Sequence, residues 1–210
     1  MLSNFYLKLS NAEHFEDFMR ACLALELFCL MGYRFAKIYD LPTVVTFALG
    51  LAFLARGKWQ AYMWLFVLGC VNRETTALLT LVFAVYFFRR MSWGVWFSGI
   101  CLQGLIFVVI RIQLMWLFAD KAGSAFWFQP RENLEAFLRV PWLGAVHWAV
   151  FALIIWLCVR NWQRKPVFLR TAFTVLMPVS LVLYVVLGNA FEVRVFAEVF
   201  PVAWALAFSD

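Results

Sequence analysis

Between Ala21 and Phe208 the chain is a string of apolar runs, each ended by a short cluster of charge or a helix breaker. A soluble domain of this length could bury several such runs but not all of them, because its surface must be built from polar residues. This chain lacks them: 65% of its 210 residues are apolar and 14% are charged, at a mean hydropathy of +0.83. It therefore reads as an all-α, polytopic transmembrane helical bundle. The net charge of +6 does not point to nucleic acid, because the basic residues fall in short clusters between apolar runs and cannot assemble one basic face.

Eight segments are expected, over residues 18–38, 42–56, 59–71, 75–89, 92–117, 142–159, 167–187 and 190–208, forming one integral membrane domain across 1–210. Ser10 with Glu13, and Asn189 with Glu192, have capping-box spacing ahead of the first and last segments. Residues 1–17 are polar and acidic where a leader would be basic and then apolar, so insertion is expected to begin with the first span. Several segments are short. A helix from Gln60 to Asn72 rises about 18 Å, against a hydrocarbon core of about 30 Å. Asn72, Arg73 and Glu74 are then expected in the outer half of the membrane, at the polar tip of a shallow hairpin. Residues 119–141 are expected to form an outer interfacial loop, with Leu134, Phe137 and Leu138 as the apolar stripe of a short amphipathic helix.

Orientation follows from the loops whose positive charge has no acidic company. Arg56 with Lys58, Arg89 with Arg90, and Arg160, Arg164, Lys165 and Arg170 mark three alternate loops, assigned to the cytoplasm by the positive-inside rule. Arg34, Lys37, Arg73, Arg111, Lys121, Arg131, Arg139 and Arg194 balance the basic count on the other side, and what separates the faces is acid, which falls on that outer side. With eight spans both termini are then cytoplasmic. Trp59, Trp93 and Trp142 near span ends are expected as interface anchors.

Ionisable residues within lipid cost about 2.5–3.5 kcal/mol each at a helix centre, so the few present need a reason. They are Glu26, Arg73, Glu74, Arg111, Glu192, Arg194 and Glu198, and all but Glu26 fall near one level in the outer leaflet. Arg194 and Glu198 are expected on one face of the last helix. Arg73 and Glu74, being adjacent, point in different directions and need partners elsewhere. Pairing Arg73 with Glu198 or Glu192, and Arg194 with Glu74, would satisfy the set. Such a network either locks helices together or lines a cavity for an anionic substrate.

Other chemistry is largely excluded. Cys22, Cys29, Cys70, Cys101 and Cys158 sit in apolar runs without metal-ligand or redox spacing and read as lipid-buried thiols. His14 and His147 are too few for a histidine-rich metal site, and His147 is expected to hydrogen-bond a neighbouring helix. Hydrolase-elbow, Walker and dinucleotide fingerprints are missing.

The stretch Tyr39-Asp40-Leu41, then Arg56-Gly57-Lys58, then Asn72-Arg73-Glu74-Thr75, with the later Gly188-Asn189, Glu192-x-Arg194 and Glu198-x-x-Pro201, resembles a pattern in bacterial polytopic proteins related to the glycosyltransferase-C superfamily. The resemblance implies a bacterial inner-membrane protein that uses a polyprenyl-phosphate-linked sugar at the outer face. It implies Asn72, Arg73, Arg111 and Arg194 as substrate-binding residues, the three arginines holding the phosphate, with Glu74, Glu192 or Glu198 orienting the arginines or deprotonating an acceptor hydroxyl, and Asp40 as an alternative base. No metal site is assigned; an ordered metal would need these acids as oxygen ligands. The chain departs from the superfamily pattern in one respect. Only Asp40 stands in its first outer connection, where such enzymes carry an acid-bearing loop after a spanning helix. Either that helix and loop lie outside this sequence, or the chain is an inactive relative.

Two readings from other classes stay open. A secondary transporter or flippase would build a midplane site from the half-helix ends of the broken third and fourth segments. A scaffold subunit would use its buried ions only for packing. In every case the bilayer itself is a partner.

Overall fold

A computed structural model describes residues 40–120, 135, 141–187 and 196–208 of the chain. Among these residues the fold is all-helical, with seven α-helices: α1 (Asp40–Ala55), α2 (Trp59–Asn72), α3 (Ala77–Phe87), α4 (Trp93–Leu117), α5 (Pro141–Val159), α6 (Val167–Leu187) and α7 (Phe200–Phe208). Short 3-10 turns at Glu74–Thr76 and Trp162–Arg164 lead into α3 and towards α6. The first expected span, both capping boxes, Glu26, Glu192 and Arg194 lie outside the described residues, as do the amphipathic stripe Leu134, Phe137 and Leu138 and the side chain of His147. Glu135, within the expected interfacial loop, is helical.

Local sequence explains where the helices stop. Gly57 adopts the left-handed conformation, φ +65°, and its amide and that of Lys58 bond back to Leu54 and Phe53 at 3.1 and 2.9 Å. This is a Schellman closure, which only a residue tolerant of positive φ makes without strain. The end of the chain differs from expectation. Of the segment expected over 190–208, residues 196–208 are described: Phe196 to Val199 form turns, and the α-helix begins at Phe200. Pro201 supplies the reason: it has no amide to bond the carbonyl of Ala197, and its ring excludes the preceding turn of helix.

Packing converges on α1 and α3. α1 lies against α2, α3 and α7, and α4 packs on both α2 and α3. α6 covers α3, while α7 sits among α1, α5 and α6. Close approach is built in: a Cβ on Gly50 would meet Leu79 Cδ1 at 2.8 Å, and one on Gly99 would meet Phe83 Cζ at 2.8 Å. Phe47, Phe66, Leu79, Val82, Leu176 and Leu206 are fully enclosed in the core. Within it, the Tyr62 hydroxyl donates to Gln103 Oε1 at 2.6 Å and joins α2 to α4.

α4 and α6 are each long and apolar enough to cross a membrane; α1 and α3 are apolar but shorter. α4 is scarcely covered by the rest of the fold, and Met115 and Trp116 are 71% and 82% exposed.

The two ends of the bundle differ in charge. Trp59, at the start of α2, stacks edge-on against Phe87 at the end of α3, 4.9 Å between centroids, so it packs between helices. Tyr86 meets Phe168 at the start of α6 at 4.7 Å. Lys165 donates to the carbonyl of Leu206 near the end of α7. These contacts gather the three acid-free basic turns at one end. Arg73, Glu74, Arg111 and Glu198 meet at the other.

Candidate functional site

The site is built on the break between α2 and α3. α2 ends at Asn72, and Arg73 is extended, with φ −154° and ψ 141°, before the Glu74–Thr76 turn restarts the helix. The extended residue aims the Arg73 and Glu74 side chains at different neighbours. Gly69 permits this tight arrangement. A Cβ there would lie 2.7 Å from Thr46 Cγ2 and 2.8 Å from Thr76 Cγ2, so α1 and the turn close directly onto the α2 backbone.

Glu198 is the innermost member. It is 1% exposed, 3.5 Å from Arg73 Nη1, and it accepts a hydrogen bond from Thr75 Oγ1 at 2.7 Å. Its position ahead of the α7 N-terminus also suits a negative charge, because the free amides of that first turn carry partial positive charge. A carboxylate so enclosed is tolerable only when paired and hydrogen-bonded. Arg73 is itself mostly covered, with 18% of its side chain exposed.

The neighbouring pair is open. Glu74 Oε2 lies 3.1 Å from Arg111 Nη2 of α4, with side chains 64% and 31% exposed. The cluster thus alternates in sign, Glu198, Arg73, Glu74, Arg111, running from a buried acid to an accessible acid–base pair. Asn72 completes its floor by donating from Nδ2 to Thr43 Oγ1 of α1 at 3.1 Å. Among the described residues, no three of His, Cys, Asp or Glu gather to hold a metal ion.

Of the residues singled out from sequence, Asn72, Arg73, Glu74, Arg111 and Glu198 come together here. Glu74 is met by Arg111, where the sequence pointed to Arg194. Asp40 opens α1, and its side chain lies outside the described residues. Sequence reasoning did not assign roles to Thr43 and Thr75. Thr75 follows Arg73-Glu74 directly and could have been suspected as a turn hydroxyl. Thr43 carried no signal, since nothing in its apolar segment points to a residue 29 positions away.

Comparison of the chain with known protein families, curated proteins and solved structures finds no match.

Proposed function

We propose that the chain is a multi-pass protein of a bacterial inner membrane, of glycosyltransferase-C type, that handles a polyprenyl-phosphate-linked sugar at the outer face. The eight apolar segments are its spans. Support for the bilayer comes from the large apolar residues left uncovered along α2 and α4, among them Trp64 at 75%, Leu68 at 68% and Trp116 at 82%. The segregation of basic turns to one end of the bundle supports cytoplasmic placement of that end, hence of both termini.

The observation that carries the functional reading is the open Glu74–Arg111 pair beside the buried Glu198–Arg73 pair. A guanidinium oriented by a carboxylate on one edge presents further N–H donors in a fixed fork, which suits phosphate. Arg111 and Arg73 are the phosphate-holding residues in this reading. Glu198 is a positioning residue, held by Thr75 and Arg73 and too enclosed to reach an acceptor. Glu74 is the accessible base. In the transfer, an acceptor hydroxyl oxygen bonds to the sugar's anomeric carbon, its proton passes to Glu74, and the carbon–oxygen bond to the carrier phosphate breaks. The departing phosphate takes the electron pair, and its charge is stabilised by the arginines.

Depth is consistent with such a substrate. α3 rises only about 17 Å from its basic end to the Glu74–Thr76 turn, against about 30 Å of hydrocarbon. The cluster is then recessed below the outer surface, where the phosphate of a membrane-anchored carrier can descend to it.

The burial of Glu198 favours a second role for its pair, the packing of α7 onto the α2–α3 turn. Replacing Arg73 and Glu74 separately by alanine and assaying glycolipid modification in cells, with protein level measured alongside, separates the two. The transferase reading expects Glu74→Ala to lower modification about a hundredfold or more at normal protein level. Unchanged modification removes the catalytic role.

A further inference from the structure

At the basic end, α3 and α4 are joined by a turn in which Arg89 is held at φ +61°, a conformation that non-glycine residues seldom adopt. The turn encloses an open cleft of about 350 Å³ lined by Phe88, Arg89, Met91, Trp93 and Trp96. Its aromatic wall is tightly set. Trp93 and Trp96 lie 4.8 Å apart at 31°, Phe88 stands edge-on to Trp96 at 5.5 Å, and Trp96 Nε1 donates to the Ala84 carbonyl at 2.9 Å. The Arg89 guanidinium lies 5.3 Å from the Phe88 ring centre, and Arg90 stacks on Tyr86 at 3.8 Å.

From this geometry we infer that the cleft holds the phosphate headgroup of an anionic phospholipid of the inner leaflet, with Arg89 as its counter-charge and Trp93 and Trp96 against the upper acyl chains. The inference rests on the membrane part of the reading above and is independent of the transferase site. Charge complementarity carries it. Eight basic residues stand at this end of the bundle, Arg56, Lys58, Arg89, Arg90, Arg160, Arg164, Lys165 and Arg170, and no acid accompanies them among the described residues. Tryptophans at such a level are amphipathic anchors, suited to the boundary between headgroup and chain. α4 begins at Trp93, itself a lining residue, and Ser92 makes no side-chain cap to its first turn. An aromatic wall alone would suit the quaternary ammonium of a choline headgroup. Arg89 argues against that occupant, because its positive charge already stands over Phe88 and would repel a second cation.

The test uses the full chain purified in detergent micelles and supplied with phosphatidylglycerol or phosphatidylcholine, with retained lipid counted by native mass spectrometry. Wild type is expected to retain phosphatidylglycerol in preference to phosphatidylcholine. Arg89→Gly is expected to lower that retention about fivefold, as removal of one basic residue near an anionic headgroup predicts. Glycine accepts the left-handed backbone at this position, so the variant keeps its fold. Arg89→Lys should retain the lipid, and Arg160→Gln should leave retention unchanged. The site is overturned if Arg89→Gly retains as much phosphatidylglycerol as wild type, if phosphatidylcholine is held equally, or if inorganic phosphate displaces the lipid at equal concentration. Alkaline carbonate extraction of native membranes runs in parallel. Release of the wild-type chain overturns membrane embedding and this site together, whereas resistance with unaltered lipid retention in Arg89→Gly overturns this site alone.

Discussion

Glu198 and Arg73, 125 residues apart in sequence, lie 3.5 Å from each other at the junction of α7 with the α2–α3 turn, with the carboxylate almost wholly enclosed. The neighbouring Glu74–Arg111 pair is closer, at 3.1 Å, yet far more exposed. Distance alone would rank the second pair as the stronger. Burial reverses the order, because the cost of losing one partner depends on how far the other is removed from water.

Glu198→Ala should therefore be the costly single change. It removes the carboxylate beside Arg73, whose side chain is 18% exposed, and the acceptor of Thr75, a loss of about 3 kcal/mol. Replacing Arg73 and Glu198 together by methionine should recover most of that. Glu74→Ala should cost under about 1 kcal/mol, as exposed pairs do. Thermal unfolding of the purified variants in one detergent checks the ranking; equal losses for Glu74→Ala and Glu198→Ala would refute it.

Gly69→Ala places a methyl within 2.7–2.8 Å of Thr46 and Thr76, neither of which can retreat without moving α1 or the α2–α3 turn. A destabilisation of about 1–3 kcal/mol is expected from the overpacking. Gly104 in α4 has open space around the same position, so Gly104→Ala should be neutral or stabilising by up to about 1 kcal/mol. Chemical unfolding of the two variants side by side distinguishes crowding from a general effect of alanine.

Tyr62→Phe removes the donor to a Gln103 side chain that is 1% exposed. The stranded amide oxygen should cost about 1–2 kcal/mol, and a second change, Gln103→Leu, should restore much of it. A double-mutant cycle showing independent, additive losses would mean that the hydrogen bond contributes nothing.

Single cysteines at Lys58 and Glu74, introduced after the native cysteines are replaced by alanine, should be labelled by a membrane-impermeant maleimide from opposite sides of sealed vesicles. Both positions are exposed, and they stand at opposite ends of α2 and its following turn. Labelling of both from the same side would end the multi-pass assignment of this hairpin.

Much of the helical order is decided by local chemistry and so was legible in the chain. α2 and α6 begin and end within a residue or so of the expected 59–71 and 167–187, because Gly57, Lys58, the Asn72-Arg73 pair and Pro166 interrupt apolar runs there. The last segment misled for a local reason as well. Its apolarity continues through 190–208, but Pro201 offers no amide to the carbonyl of Ala197, and the helix begins at Phe200, after Glu198.

What the amino-acid order determined by itself is that this chain must be built of apolar helices, with three alternate turns whose positive charge has no acidic company and a few ionisable groups that demand partners. Apolar periodicity and breakers act over a few residues, so they can be read without coordinates. Which partner each charge takes was decided only by the packed fold. Arg111 reaches Glu74 because α4 lies beside α2 and α3, and Thr75 reaches Glu198 because α7 stands next to the turn. Those choices depend on how helices far apart in sequence lean together, a property of side-chain volumes across the whole bundle.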